Sequence, residues 1–329
     1  MNNGFSIIVC TYNGRKRLEK TFEYIDALLL PCPLEVILID NNSTDGSKEF
    51  IDSWCSKNLR QEISYRSKHE IKPGKNNALS LGYSLSKMNY VVICDDDNWL
   101  QRDYLQNALS IMESNPKIGA LGGMSGATFE TCEPQWWEKY KYKFAVGRQC
   151  PDNGDITNLK GCLWGAGMIL RKEAIEKLNQ SKFTYLTECR TGKKLSSGGD
   201  TELCYALRML GYKVWFDEKL FFTHFISKEK TRKQYLERLL AGISRSSFLI
   251  SPYLMELNKQ EFYWFKYYKK LIRLIFIKKL IYNTLALLKG TFDEQEIAKE
   301  YFRQIYYYSF GYWRLKRNIN RIRAWRNSI

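Results

Sequence analysis

Between Phe5 and Phe225 the apolar residues follow two alternating patterns, short unbroken runs and helical spacings. Phe5-Ser6-Ile7-Ile8-Val9-Cys10 predicts a buried strand that ends at the polar turn Thr11-Tyr12-Asn13-Gly14. Leu18, Phe22, Ile25 and Leu29 then recur at helical spacing until Pro31 and Pro33 stop the helix. Leu34 to Ile39 predicts a second strand, closing on Asp40-Asn41-Asn42-Ser43. Phe50, Ile51, Trp54 and Cys55 mark a second helix, and Ile63 to Arg66 a short third strand. A helix over Asn76 to Met88 follows the Pro73-Gly74 turn, before the run Tyr90-Val91-Val92-Ile93. Beyond it lie a helix from Asp103 to Glu113 and strands at Ile118–Gly123 and Trp164–Leu170. A helix through Ala174, Ile175 and Leu178 precedes another, opened by Gly199-Asp200 and stopped at Gly211. Tyr212–Phe216 and Leu220–His224 read as two more short strands. Strands alternating with helices predict an α/β fold with a mostly parallel sheet and helices on both faces.

One of these strands carries chemistry. Val91-Val92-Ile93-Cys94 runs directly into Asp95-Asp96-Asp97. A core does not tolerate three unpaired carboxylates, because burying one ionised group alone costs several kcal/mol. The triplet must face water, a cation, or both. Ligands bind at the carboxyl ends of strands in open α/β sheets, and hard oxygen donors there suit Mg²⁺ or Mn²⁺. The plainer reading is a solvated acidic turn before the next helix.

Composition narrows the partners. The formal charge is +16, from 51 Lys and Arg against 35 Asp and Glu, which points to nucleic acid, anionic lipid or phosphorylated substrates. The 44% hydrophobic fraction suffices for a core. Nine cysteines without metal spacing fit reduced, buried thiols and a cytoplasmic protein better than a disulfide framework. Met1-Asn2-Asn3-Gly4 leads into a strand without the features of a signal peptide, and no run reaches the ~18 apolar residues of a membrane span.

Five stretches occur in a telling order: Val9 to Gly14, Ile39 to Gly46, Gly74 to Ala78, Cys94 to Asn98, and Gly199 to Leu203. Together they resemble the successive motifs of the family 2 inverting glycosyltransferases, of the bacterial surface-polysaccharide type. The resemblance, from about Phe5 to Phe225, implies a GT-A-type fold with a Rossmann-like nucleotide-binding half, about 1–123, and an acceptor-binding half, about 124–227. It also implies a nucleotide-diphosphate sugar as donor, with Thr11, Tyr12, Asn13, Asp40, Lys75, Asp95 and Asp96 as nucleotide-binding positions. The family's D-x-D motif falls on Asp95 and Asp97. Positions two apart share a face of an extended backbone, so both are expected to converge on Mn²⁺ or Mg²⁺, with Asp96 turned away and His224 as a third ligand. Asp40 reads equally as a turn residue, Lys75 as a solvated lysine, and His224 as a structural histidine.

The family places its catalytic base in a Glu-Asp pair at a helix start. Here the pair reads Gly199-Asp200, which makes Asp200 the candidate base. Glu202 competes, but two residues along a helix rotate by about 200°, so both cannot face one site; it and Trp164 remain candidate acceptor contacts. The plainer reading of Asp200 is support for the helix N-terminus, with Ser197 as cap. Trp136, Trp137 and Trp164 suit either a sugar-stacking floor or packing.

From about 228 to 329 the chain reads as basic, aromatic helices, such as Lys278, Lys279 and Lys289 among Ile275, Phe276 and Ile281. Such helices suit an anionic membrane surface, nucleic acid, or plain packing on the preceding domain. The resemblance favours a peripheral place at the cytoplasmic face of the inner membrane, near a glycan or lipid-linked acceptor. The expected activity is metal-dependent inverting transfer to an acceptor hydroxyl. A nucleotide-sugar-binding protein without turnover and a nucleic-acid-binding protein are the alternatives.

Overall fold

The computed structural model describes residues 2–57, 60–187, 189, 195, 197–261, 268–269, 271–273 and 275–329. Its sheet is built from β1 (Asn2–Thr11), β2 (Leu34–Asp40), β3 (Ile63–His69), β4 (Met88–Asp95), β5 (Asn98–Leu100), β6 (Ile118–Phe129), β7 (Gly154–Asp155), β8 (Ile169–Arg171) and β9 (Lys213–Ile226). The strand order is β3-β2-β1-β4-β8-β6-β9-β5, with β7 also on β9. β3, β2, β1 and β4 are mutually parallel, joined by α1 (Arg15–Asp26), α2 (Ser47–Lys57) and α3 (Lys75–Leu85). This half matches the pattern of crossover units read from the sequence.

The remainder is mixed. β8 runs antiparallel to both β4 and β6, while β6 and β9 are parallel. The chain returns to β8 through an irregular segment rather than a crossover helix, and an antiparallel neighbour needs no crossover. Two strand expectations change. Of Trp164–Leu170 only the end is a strand; Trp164–Met168 is a turn, in which Gly167 at φ +70 donates its N–H to Ile93 O (2.9 Å). The two strands expected at 212–224 are the single strand β9, whose inward positions stay in phase past exposed Glu218 and Lys219.

Alternation along the parallel strands divides the core. Ile8, Ile37, Val91 and Ile93 pack on one face of the sheet, and Ile7, Val36, Leu38 and Val92 on the other. All seven residues of β2 are buried, Glu35 among them, held by the Ser6 hydroxyl and Arg66. Helices α4 (Tyr104–Ser114), α6 (Lys172–Gln180) and α7 (Gly199–Met209) complete the two layers, and α5 (Trp137–Tyr140) lies in the irregular segment.

The C-terminal helices do not all serve one purpose. α8 (Lys233–Leu257) packs on α7. After α9 (Ile277–Lys289) and α10 (Phe292–Phe310), α11 (Tyr312–Arg326) returns to α8 through Leu315 and Ile319 against Phe248 and Leu249. Arg323 Nε reaches Glu256 Oε1 at 2.7 Å, and Ile322 enters the main core. By contrast, Ile281, Tyr282, Leu285 and Leu288 of α9 are exposed. Among the described residues, no helix is long and apolar enough to cross a membrane.

Candidate active site

β1, β2 and β4 end side by side, with Cys10 opposite Asp95 and Thr11 opposite Asp40. The polar residues that follow each strand are thereby gathered at one edge. Each acid of the triplet then takes a different direction.

Asp96 points into the protein. Its Oδ2 accepts from the Thr11 hydroxyl (2.5 Å), and Arg17 donates Nε to Oδ1 (3.0 Å) and an η nitrogen to Oδ2 (2.9 Å). Gly14 is required beside them, because a Cβ there would lie 2.1 Å from both Asp96 Oδ2 and Thr11 Oγ1. Thr11 and Asp96, expected on the nucleotide, are thus buried against each other and fasten α1 to the end of β4. Asn13 adopts φ +51 and accepts from Thr44 N (2.8 Å), tying the first turn to the second; Tyr12 is half exposed.

Asp40 is buried at the end of β2, with Oδ2 2.8 Å from His69 Nδ1 and Oδ1 lacking a protein partner. A small recess lined by Asp40, Lys48, Ser67, Lys68 and His69 opens there. His69, for which the sequence offered no motif, is brought to Asp40 by the parallel register of β2 and β3.

Asp95 turns toward solvent and pairs with Lys75 at the start of α3. Both line a cavity of about 300 Å³ that also receives Asn76, Trp164, Asp200 and His224, a volume in the range of ligand sites. α8 contributes Ile243, Ser246 and Ile250 to its wall, so the cavity depends on a helix beyond residue 228. The Trp164 ring faces the Lys160 ammonium at 4.9 Å, whereas Trp137 is buried against Phe129 and Phe144 as packing.

Asp200 stands in the first turn of α7, half-buried at the cavity wall. Its Oδ2 accepts from Gly165 N (2.9 Å) and its Oδ1 from Thr201 N (2.8 Å). Two backbone donors fix the carboxylate while leaving lone pairs for a further proton donor. Gly198, at φ +101, occupies the N-cap; Ser197 does not cap the helix, and its N–H points to Ser246 Oγ.

Glu202, expected as an acceptor contact, does not line the cavity. It is fully buried and accepts from Leu186 N, Thr187 N, the Thr187 hydroxyl and the Tyr253 hydroxyl. The helical rotation that separates it from Asp200 turns it into the protein, where it clamps the 186–187 segment and α8 to α7.

Asp97 is buried too, beside His224 as expected and beside Lys230, which the sequence did not suggest. Its Oδ2 lies 2.5 Å from Lys230 Nζ and its Oδ1 3.5 Å from His224 Nε2. Burial would raise this carboxyl, but Lys230 and then His224 outweigh it and hold it well below the usual carboxylate range. β5 explains the meeting: Asn98 pairs with His224 across β5 and β9, and Phe225 N donates to Asp97 O (2.8 Å).

The model of glycosyl transferase family 2 matches residues 6–178. The chain belongs to that family. It is 29% identical over 106 residues to glycosyltransferase GlyG of Streptococcus pneumoniae serotype 4, covering 32% of this chain and 34% of that protein. It is 28% identical over 131 residues to an uncharacterised glycosyltransferase of Haemophilus influenzae, covering 38% and 48%. The matched stretches thus span a third to a half of these relatives. Among solved structures, the mannosyltransferase PcManGT of Pyrobaculum calidifontis, in complex with GDP-Man and Mn²⁺, superposes with a TM-score of 0.54 at 17% identity, covering 94% of this chain and 88% of that one. S. aureus TarS 1-349 in complex with UDP-GlcNAc gives 0.50 at 13%, covering 92% of each chain. At such identities the likeness is one of fold, and it agrees with the GT-A architecture expected above.

The divalent ion implied by the resemblance does not fit the donor set as arranged. Asp95 and Asp97 do not converge: one carboxylate is paired with Lys75 at the cavity, the other is enclosed with Lys230. Among the described residues, no group of three His, Cys, Asp or Glu side chains is placed to hold a metal. Lys230, Arg17 and the α8 residues at the cavity are what sequence reasoning missed.

Proposed function

We propose that this protein transfers a sugar, with inversion, from a nucleotide-diphosphate donor to an acceptor hydroxyl. The observation that carries the reading is the shared cavity: Asp200, a fixed carboxylate, faces the same space as Lys75 and Asp95 at the nucleotide edge of the sheet. Asp40, with its unpartnered buried Oδ1, is suited to accept from a nucleobase N–H, and Asp95 from a ribose hydroxyl. The Lys75 ammonium offers its charge to the donor phosphates. Asp200 takes the proton of the acceptor hydroxyl, whose oxygen attacks the anomeric carbon from the side opposite the diphosphate, so the configuration inverts. Positioned base catalysis of this kind contributes ~10²–10⁴-fold. Trp164, at the cavity wall, is a candidate contact for the acceptor.

Calorimetric titration with UDP, GDP and dTDP, together with release of nucleoside diphosphate from a panel of sugar nucleotides, tests this reading. One nucleotide is expected to bind and its sugar to be transferred. Binding without turnover would leave a nucleotide-sugar-binding protein, and binding of none would refute the reading.

The exposed apolar residues of α9 lie beside Lys278, Lys279 and Lys289, which suits an anionic membrane surface and a lipid-linked glycan acceptor at the cytoplasmic face. Sedimentation with phosphatidylglycerol vesicles at low salt should carry the protein down and Leu285→Glu should release it; a protein that stays in the supernatant refutes the membrane reading.

A further inference from the structure

Lys230 lies beyond the stretch that matches the family, six residues after His224. Its N–H closes a turn on Ser227 O (2.8 Å), and the side chain comes back against the end of β9. There Nζ stands 2.5 Å from Asp97 Oδ2 and 3.2 Å from His224 Nε2. All three residues are buried, and His224 lines the cavity that holds Asp200, Asp95 and Lys75. The other ring nitrogen of His224, Nδ1, is buried without a protein partner.

The last Asp of the triplet and a histidine on the neighbouring strand are the donors that a leaving-group cation would need. The gap between them already holds a positive charge. A divalent ion would have to sit about 2.0–2.2 Å from both donor atoms, in the space of the ammonium, and two such charges repel strongly at contact. An ammonium has three N–H groups, of which two reach Asp97 and His224.

We infer that Lys230 is the built-in cation of the leaving-group site: its ammonium supplies toward the donor's diphosphate the fixed positive charge for which a divalent ion would otherwise be recruited. The inference rests on the nucleotide-sugar reading above. In the transfer, the bond from acceptor oxygen to anomeric carbon forms as the bond from that carbon to the diphosphate oxygen breaks. The electron pair leaves on the diphosphate, the acceptor proton goes to Asp200, and Lys230 offsets the new charge through its third N–H without giving up a proton. Stabilisation where charge develops is the usual role of such a fixed cation. The site then works with no exchangeable metal.

The experiment uses the full chain and two probes. In the first, UDP, GDP and dTDP are titrated calorimetrically in EDTA and again with Mn²⁺. Wild type is expected to bind its nucleotide equally in both, within about twofold, whereas Lys230→Met should bind about tenfold or more weakly in EDTA, since a charge-assisted contact is lost. Mn²⁺ should restore binding to the variant, because Asp97 and His224 are then open to it. In the second, Mn²⁺ alone is titrated and followed by its electron paramagnetic resonance signal; wild type should leave the ion free and Lys230→Met should take it up. A wild type that binds nucleotide only with Mn²⁺, or that binds Mn²⁺ by itself, overturns the inference while leaving the nucleotide-sugar reading intact. Failure to bind any nucleotide in either buffer removes that reading, and the inference with it. The wild-type measurements decide even if the variant does not fold.

Discussion

Replacing Asp200 by Asn separates chemistry from architecture at this site. In the wild type both carboxylate oxygens accept backbone N–H groups, Gly165 N at 2.9 Å and Thr201 N at 2.8 Å. Asparagine keeps one carbonyl oxygen for one of these donors and turns an amide NH₂ toward the other. One hydrogen bond is lost at a half-buried position, which costs about 0.5–1.5 kcal/mol of stability. The catalytic loss is of another size. An amide does not accept the acceptor's proton, and base catalysis worth ~10²–10⁴-fold corresponds to about 3–5 kcal/mol of barrier. Nucleotide affinity should hardly change, because the groups assigned to the nucleotide lie at other strand ends. The assay is release of nucleoside diphosphate at saturating donor, with nucleotide Kd and thermal melting measured on the same preparation. Asp200→Asn should lose kcat by at least about a hundredfold, with Kd unchanged and melting only slightly lowered. A kcat within about tenfold of wild type would refute Asp200 as base. A parallel loss of Kd would show instead that the residue holds the Trp164–Met168 turn in shape.

Glu202→Gln should destabilise more than a conservative change would suggest: four donors converge on the carboxylate, and an amide NH₂ among them costs about 1–3 kcal/mol; chemical denaturation measures it, and unchanged stability would refute the clamp. Thiol labelling at pH 8 should modify exposed Cys132 in the native protein and spare Cys10, whose thiol burial pushes up to about 12, until denaturant is added; mass spectrometry of labelled peptides reads the order, and early labelling of Cys10 would contradict the packing of β1.

What the sequence disclosed and what it concealed follow from the range of the interactions. β1, β2 and β4 announce themselves because both faces of each strand are buried, which leaves an apolar run with polar residues at its end. β5 has no such signal: Asn98-Trp99-Leu100 is a strand only because β9 pairs with it. Lys75, Asp95 and Asp200, from three of the motif stretches, line one cavity together with Trp164 and His224. The directions of the side chains were not foreseeable. Alternation along an extended backbone would put Asp95 and Asp97 on one face, but the chain leaves the strand after Asp95 and turns through Asp96-Asp97 into β5. Lys230 was hidden for a different reason. Past residue 227 it is one lysine among many, and only the turn at Ser227 singles it out.

The acidic triplet is therefore solved residue by residue. Three adjacent carboxylates demanded water or cations, and the fold supplies each with its own protein cation from a different element: Lys75 from α3 for Asp95, Arg17 from α1 for Asp96, Lys230 from beyond β9 for Asp97. The three pairs differ in exposure, and their uses divide accordingly. Asp95 and Lys75 are partly open to the cavity, where a ligand can exchange one partner for itself at small cost. Asp96 and Asp97 are closed, and removing one partner of a buried pair leaves an uncompensated charge worth about 3–5 kcal/mol. The closed pairs join α1 and the end of β9 to the same strand terminus, so the two halves of the sheet meet at a fixed point. On the proposed function, the Lys75 and Lys230 charges and the Asp200 carboxylate are held toward one sugar nucleotide without rearrangement, and preorganisation of this kind is where a fixed site draws its advantage over water.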